Sequence, residues 1–154
     1  MTDLSISGAK PLVPAFAGIQ KALAPFVEPA IRVAAGMFLL PHGAQKLFGW
    51  FGGYGLEGTG QFFESIGYPA SAALAVGLVE FVGGLLLAFG LGTRIAAGFI
   101  FGFLAVAVIQ HYPAGFFWNN GGFEYPLLWG ILALGFVIRG GGRYSVDAAI
   151  GREI

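Results

Sequence analysis

The sequence predicts an all-α membrane protein, a bundle of four transmembrane helices, and three observations carry that prediction. Hydrophobic residues make up 56% of the 154-residue chain and charged ones 10%, against about 45–50% and about 25% in soluble domains. Four apolar stretches each approach the ~20 residues that cross a bilayer. Basic residues fall almost entirely on one side of the topology those stretches define. Two smaller elements complete the expectation, an N-terminal amphipathic helix lying in the membrane interface and a short helix in the first outer loop. The length suits one domain.

The composition also excludes. Eight basic and eight acidic residues give a net charge of zero, so nothing points to nucleic acid. With no cysteine, disulfides, thiol redox chemistry and cysteine-ligated clusters are outside this chain's reach. The opening MTDLSISGAKPLVP lacks a basic region followed by an apolar run and a small-residue cleavage site, so no removable signal peptide is expected.

In order along the chain, residues 1–12 read as a loosely held tail. In 14–28, Phe16, Ile19, Leu23 and Phe26 recur at helical steps opposite Gln20 and Lys21, the pattern of an interfacial helix. Residues 1–28 are thus set apart from a four-span bundle over 29–142. The first span, about 29–49, contains Pro41, which is expected to bend the half that follows it. Residues 50–70 are glycine-rich in their first half and carry Trp50, Phe51, Tyr54, Phe62, Phe63 and Tyr68, aromatics suited to an interface. A short helix is expected in TGQFFESIG, with Thr59 as its N-cap. The second span is about 71–91, the third about 94–112 and the fourth about 123–139, followed by a tail over 143–154. Lys10, Lys21, Arg32, Arg94, Arg139, Arg143 and Arg152 fall on one side and Lys46 on the other, which puts both termini in the cytoplasm.

Helices in lipid associate through close packing. Ala73, Gly77, Glu80 and Gly84 form one strip of small residues broken by a carboxylate, and Gly98, Gly102 and Ala105 form a second, leaving room for a homo-oligomer.

The first span organises the candidate site. His42 and Lys46 are one helical turn apart and share a face, and Arg32, Gly36 and Gly43 lie close to it. Such groups in hydrocarbon normally face a bundle interior or a watery cavity. At ~1.5 Å per residue, Glu80 falls within ~2 Å of the midplane and His42 ~4–5 Å toward the outside. Lys46, His111 and Glu124 fall ~10–12 Å outside the midplane. One outward funnel with Glu80 at its floor is the expectation, with Glu80, His42 and Lys46 as proton relay and charge stabiliser. His111, Glu124 and Trp129 join them as binding residues, with Phe38 and Phe81 alongside. Arg32 reads as an anchor that snorkels to the inner interface. Paired haem axial ligands need matching depth, and His42 and His111 differ by ~7 Å on the same scale, which argues against haem. No ligand-spacing motif supports a metal.

RVAAGMFLLPHGAQKLFG, the glutamate in VEFVGGLLLAFGLGTR, GGFEYPLL and the closing RGGGRYSVD together resemble the DoxX/DoxD family of small four-helix membrane proteins, over about residues 30–148. The resemblance implies a multi-pass protein of the bacterial inner membrane associated with oxidoreductase systems. DoxD-like members serve as the small subunit of thiosulfate:quinone oxidoreductase, and DoxX-like ones are linked to redox and sulfur-stress complexes. It also implies that Arg32, His42, Lys46, Glu80 and Glu124 are the recurrent polar positions.

Three functions compete. In the first, the chain is an accessory subunit that handles a quinone or small anion, with electrons supplied by a partner because it carries no cofactor motif. In the second, it is a non-catalytic scaffold for soluble redox or stress-response partners. In the third, it conducts protons or a small solute.

Overall fold

Glycines end most of the helices, at Gly49, Gly90, Gly140 and Gly151, and the helices' apolar faces meet in one core. The computed structural model describes residues 13–153, all helix and turn, with no strand among the described residues. Helix α1 (Pro14–Phe48) comes first, followed by α2 (Gly55–Ser65). Then come α3 (Ala72–Leu78) and α4 (Gly84–Phe89), joined into one rod by a π-helical turn over Val79–Gly83. The chain closes with α5 (Thr93–His111), α6 (Glu124–Arg139) and the five-residue α7 (Val146–Ile150). Among the described residues three helical segments are long and apolar enough to cross a membrane: Pro14–Phe48, Ala72–Phe89 and Thr93–Ala114. Helix α6, with 16 residues, is just short of the ~17 that mark the lower limit.

The break expected near residue 28 is absent. Helix α1 runs unbroken for 35 residues through Pro25, Pro29 and Pro41, roughly 50 Å at ~1.5 Å per residue. No glycine interrupts 19–35 to supply a positive-φ stop, and the helix ends only at Gly49, with φ 71°. The apolar stripe of Phe16, Ile19, Leu23 and Phe26 stays exposed along its first half. Expectation also differs from structure at Thr59. Helix α2 already begins at Gly55, Tyr54 holds its N-cap position without a side-chain bond, and Thr59 is buried inside it.

Two close approaches set how α1 crosses the α3–α4 rod. A methyl group on Gly36 would overlap the Gly84 carbonyl and Ala88, and one on Gly43 would overlap the Phe81 backbone. The predicted strip Ala73, Gly77, Glu80 and Gly84 is buried against α1. Leu39 and Ala35 of α1, Leu87 of α4, Ala97, Ile100 and Leu104 of α5, and Ala133 and Phe136 of α6 form one apolar core. Helices α5 and α6 pack along their lengths, whereas α1 and α6 touch only lightly. That leaves an open seam between the first and last helices of the core. In the second small-residue strip, nothing among the described residues lies within 4 Å of a Cβ built on Gly98 or Gly102.

Candidate functional site

Glu80 sits on the π-turn, 4% exposed. A π-turn inserts one residue per turn and swings the register of everything it carries, which is why such turns gather at functional positions. Here it aims the Glu80 carboxylate at α1. Lys46 Nζ lies 3.0 Å from Oε1 and 2.7 Å from Oε2. Only the contact to Oε1 has hydrogen-bond geometry, so Oε2 takes the charge without a directed donor. The same ammonium reaches the His42 backbone carbonyl at 3.4 Å.

The predicted residues do not share one chamber. His42 makes no bond to Glu80 among the described residues and lines a groove of about 280 Å³ in the α1–α6 seam with Phe38, Tyr125, Leu128 and Trp129. The Phe38 and Trp129 rings lie 5.5 Å apart and tilted by 32°. His42 and Lys46, one turn apart, straddle the edge of the helix face: Lys46 goes to the π-turn and His42 to α6. Phe81 stays on the Lys46 side, its ring edge-on to Phe48 at 5.4 Å.

His111 and Glu124 belong to a third place, the aromatic loop between α5 and α6. His111 Nδ1 lies 2.7 Å from the Gly121 carbonyl, and Glu124 accepts from the Trp118 amide at 3.2 Å. Both brace a loop closed by Phe123 N–H to Gly115 O and Glu124 N–H to Phe116 O. Equal depth had suggested convergence. Depth along a span carries no information about azimuth, and azimuth separates them.

Arg32 is not a snorkelling anchor. It is 2% exposed, and Nη1 donates to the Leu87 carbonyl at 2.8 Å and to the Ala88 carbonyl, while Nη2 donates to Tyr144 O at 2.6 Å. Helix α4 ends at Gly90 in the left-handed region, φ 69°. The last carbonyls of a helix run short of donors: Leu87 O takes the Gly90 amide at 3.1 Å, and the guanidinium donates to it as well as to Ala88 O.

The residues that complete this cluster were not singled out in the sequence. Asp147 accepts from the Gly92 amide (2.7 Å), the Thr93 amide (2.9 Å) and the Thr93 hydroxyl (2.6 Å). Its own amide donates to Gly90 O at 2.9 Å. Ser145 caps α7 by accepting from the Ala148 amide at 3.1 Å. The described part of the expected tail, 143–153, is thus folded back onto the start of α5 and against Arg32. The S-V-D run carried a signal for it, an N-cap serine with an acid in the first turn.

Burial alone would push the Asp147 carboxyl up. The Thr93 hydroxyl, the Thr93 and Gly92 amides and the Arg32 charge outweigh it, so the group is held below its ordinary value of 3.8. A depressed acid stabilises the fold above its unfolded value, and that contribution is lost as pH falls through the folded one. Asp147→Asn is therefore expected to lower stability by about 2 kcal/mol at pH 5–7. The gap to the parent should shrink below pH ~4. Thermal unfolding of both proteins across pH 3–7 measures this, and a gap that widens on acidification contradicts it.

The comparisons with known proteins bear on these same elements. A family model described as DoxX matches residues 29–113, from the first span through α5. The chain belongs to the DoxX family. It is 38% identical over 99 residues to CatD of Bacillus subtilis (strain 168), a protein provisionally named an oxidoreductase. That match covers 64% of this chain and 69% of CatD. It is 35% identical over 108 residues to the inner membrane protein YqjF of Escherichia coli (strain K12), covering 68% of this chain and 82% of YqjF. No solved structure matches it. As a DoxX protein the chain is a membrane protein, and the matched stretch contains Arg32, His42, Lys46 and Glu80 but neither Glu124 nor Trp129.

Proposed function

We propose that this DoxX protein is an accessory subunit of a membrane oxidoreductase that holds the head group of a quinone in the α1–α6 groove. In this reading the chain crosses the bacterial inner membrane four times with both termini cytoplasmic. The seven-to-one division of basic residues favours that orientation, and α6 contributes to the same core as the longer helices. The name CatD carries supports an oxidoreductase context.

The observation that carries the reading is the groove itself. At about 280 Å³ it is close to the ~300 Å³ lower bound of small-molecule pockets, room for a single-ring head whose tail stays in lipid. Phe38 is 62% and Leu128 51% exposed, so the groove opens sideways toward hydrocarbon. The Phe38 and Trp129 faces suit a flat ring. The His42 imidazole and the Tyr125 hydroxyl are the hydrogen-bonding groups available to its carbonyls. His42 carries the proton to or from the bound head, while the Lys46–Glu80 pair fixes the helical turn from which His42 projects. Electrons come from a partner.

Retention of a short-tailed ubiquinone by the full chain in lipid nanodiscs tests this. His42→Ala and Trp129→Leu should each weaken retention by about tenfold, the worth of one such contact, with helical content unchanged. Equal retention by both variants and the parent overturns the reading and leaves the scaffold function in its place.

A further inference from the structure

A second cleft lies at the opposite end of the molecule from the α5–α6 aromatic loop, where α6 ends and α7 folds back. It measures about 390 Å³ and is lined by Arg139, Arg143 and Arg152 together with Asp147 and Glu153. The charges do not cancel there. Asp147 is turned inward to the Gly92 and Thr93 amides and the Thr93 hydroxyl. Glu153 is spent on Arg94 and the Gly141 amide, each at 3.2 Å. Arg139 has its own acid, Glu28, at 3.2 Å. Arg143 and Arg152 have no ion-pair partner among the described residues, and Arg143 rests 5.5 Å above the Tyr144 ring.

We infer that this cleft binds the phosphate of an anionic phospholipid, with Arg143 and Arg152 as its ligands. A planar guanidinium matches the geometry of a phosphate and holds it by paired donors. Lipid is the source that fits the neighbourhood. Immediately beside Arg139, Ile138 is 67% exposed, and Ile131, two turns up the same face of α6, is 59% exposed. Ile150, next in sequence to the lining residue Gly151, is 57% exposed. A head group on the arginines thus has an apolar track for its acyl chains along α6, which a soluble anion would not use. Basic clefts at helix ends are suited to such head groups. The site is separate from the quinone groove and independent of it.

The test uses the full chain in a neutral detergent, with phosphatidylglycerol, phosphatidylcholine or inorganic phosphate added, read by native mass spectrometry and thermal unfolding. Phosphatidylglycerol should stay bound and raise Tm, while phosphatidylcholine does neither. Arg143→Gln with Arg152→Gln should weaken phosphatidylglycerol binding about thirty-fold, from roughly fivefold per arginine near a membrane surface. Arg152→Gln alone, at an exposed position, should give an intermediate loss. Retention of phosphatidylglycerol by the double variant at the parent's level overturns the site. An equal Tm rise with inorganic phosphate overturns the lipid assignment. Unchanged quinone retention in the same variants separates this result from any failure of the groove.

Discussion

Arg32→Leu is expected to be the most damaging single substitution in the chain, at about 3–5 kcal/mol, the cost of removing one partner from a buried charged network. The leucine would fill some of the volume. It would take the guanidinium donors from the carbonyls of Ala88 and Tyr144, each a desolvated acceptor costing about 1–3 kcal/mol, and leave Leu87 O with the Gly90 amide alone. It would also strip Asp147 and Glu28 of a nearby positive charge. Arg32→Lys should recover the charge but not the fork, since one ammonium cannot reach α4 and the 144 turn with the same geometry. The predicted order of stability is parent, then lysine, then leucine, read from unfolding midpoints in one detergent. The leucine variant should also expose the 140–153 segment to protease before the rest of the chain unfolds, because that segment is tied to the bundle through Arg32 and Asp147. A leucine variant as stable as the parent would mean the guanidinium bonds contribute nothing net.

That cluster also marks where sequence reasoning stopped. Hydropathy and the glycine breaks located the second, third and fourth apolar helices to within a residue or two: 71–91 against Ala72–Phe89, 94–112 against Thr93–His111, 123–139 against Glu124–Arg139. Periodicity also identified the face of Ala73, Gly77, Glu80 and Gly84, because small residues at helical spacing beside a carboxylate leave few other uses for that face. What periodicity cannot carry is the identity of the partner. Gly98 and Gly102 also stand at helical spacing, yet a Cβ built on either meets nothing among the described residues. Arg32 meets groups 55, 56 and 112 residues away, and no local pattern joins positions so far apart. The site failed in the same way. Rise per residue placed His42, Lys46, Glu80, His111 and Glu124 in one half of the membrane. The π-turn at Val79–Gly83 and the crossing at Gly43 then decided which of them meet. Side chain to side chain, among the described residues, Lys46 and Glu80 do; His42 is reached by Lys46 through its backbone carbonyl.

Lys46→Met is expected to cost about 3–5 kcal/mol and Glu80→Met less, and the asymmetry follows from burial. Glu80 is 4% exposed and has no other cation within bonding distance among the described residues, so losing Lys46 strands a carboxylate in the packed crossing of α1 and the π-turn. The Lys46 side chain is 23% exposed, and on losing Glu80 its ammonium can swing toward the interface and rehydrate. The double variant should recover most of the loss, because two methionines of similar volume need no desolvated charge. The double-mutant cycle should therefore give a coupling of about 2–3 kcal/mol, measured by unfolding in nanodiscs. The same cycle separates two reasons for the pair to exist. If the double variant is stable and still retains quinone, the pair is an interior clamp, and the groove works without it. If it is stable but has lost quinone, the pair acts on the bound head through the turn it shares with His42, whose carbonyl Lys46 touches at 3.4 Å. If the double variant instead costs as much as the two single substitutions summed, the two charges do not depend on one another, and the ion pair as described is wrong.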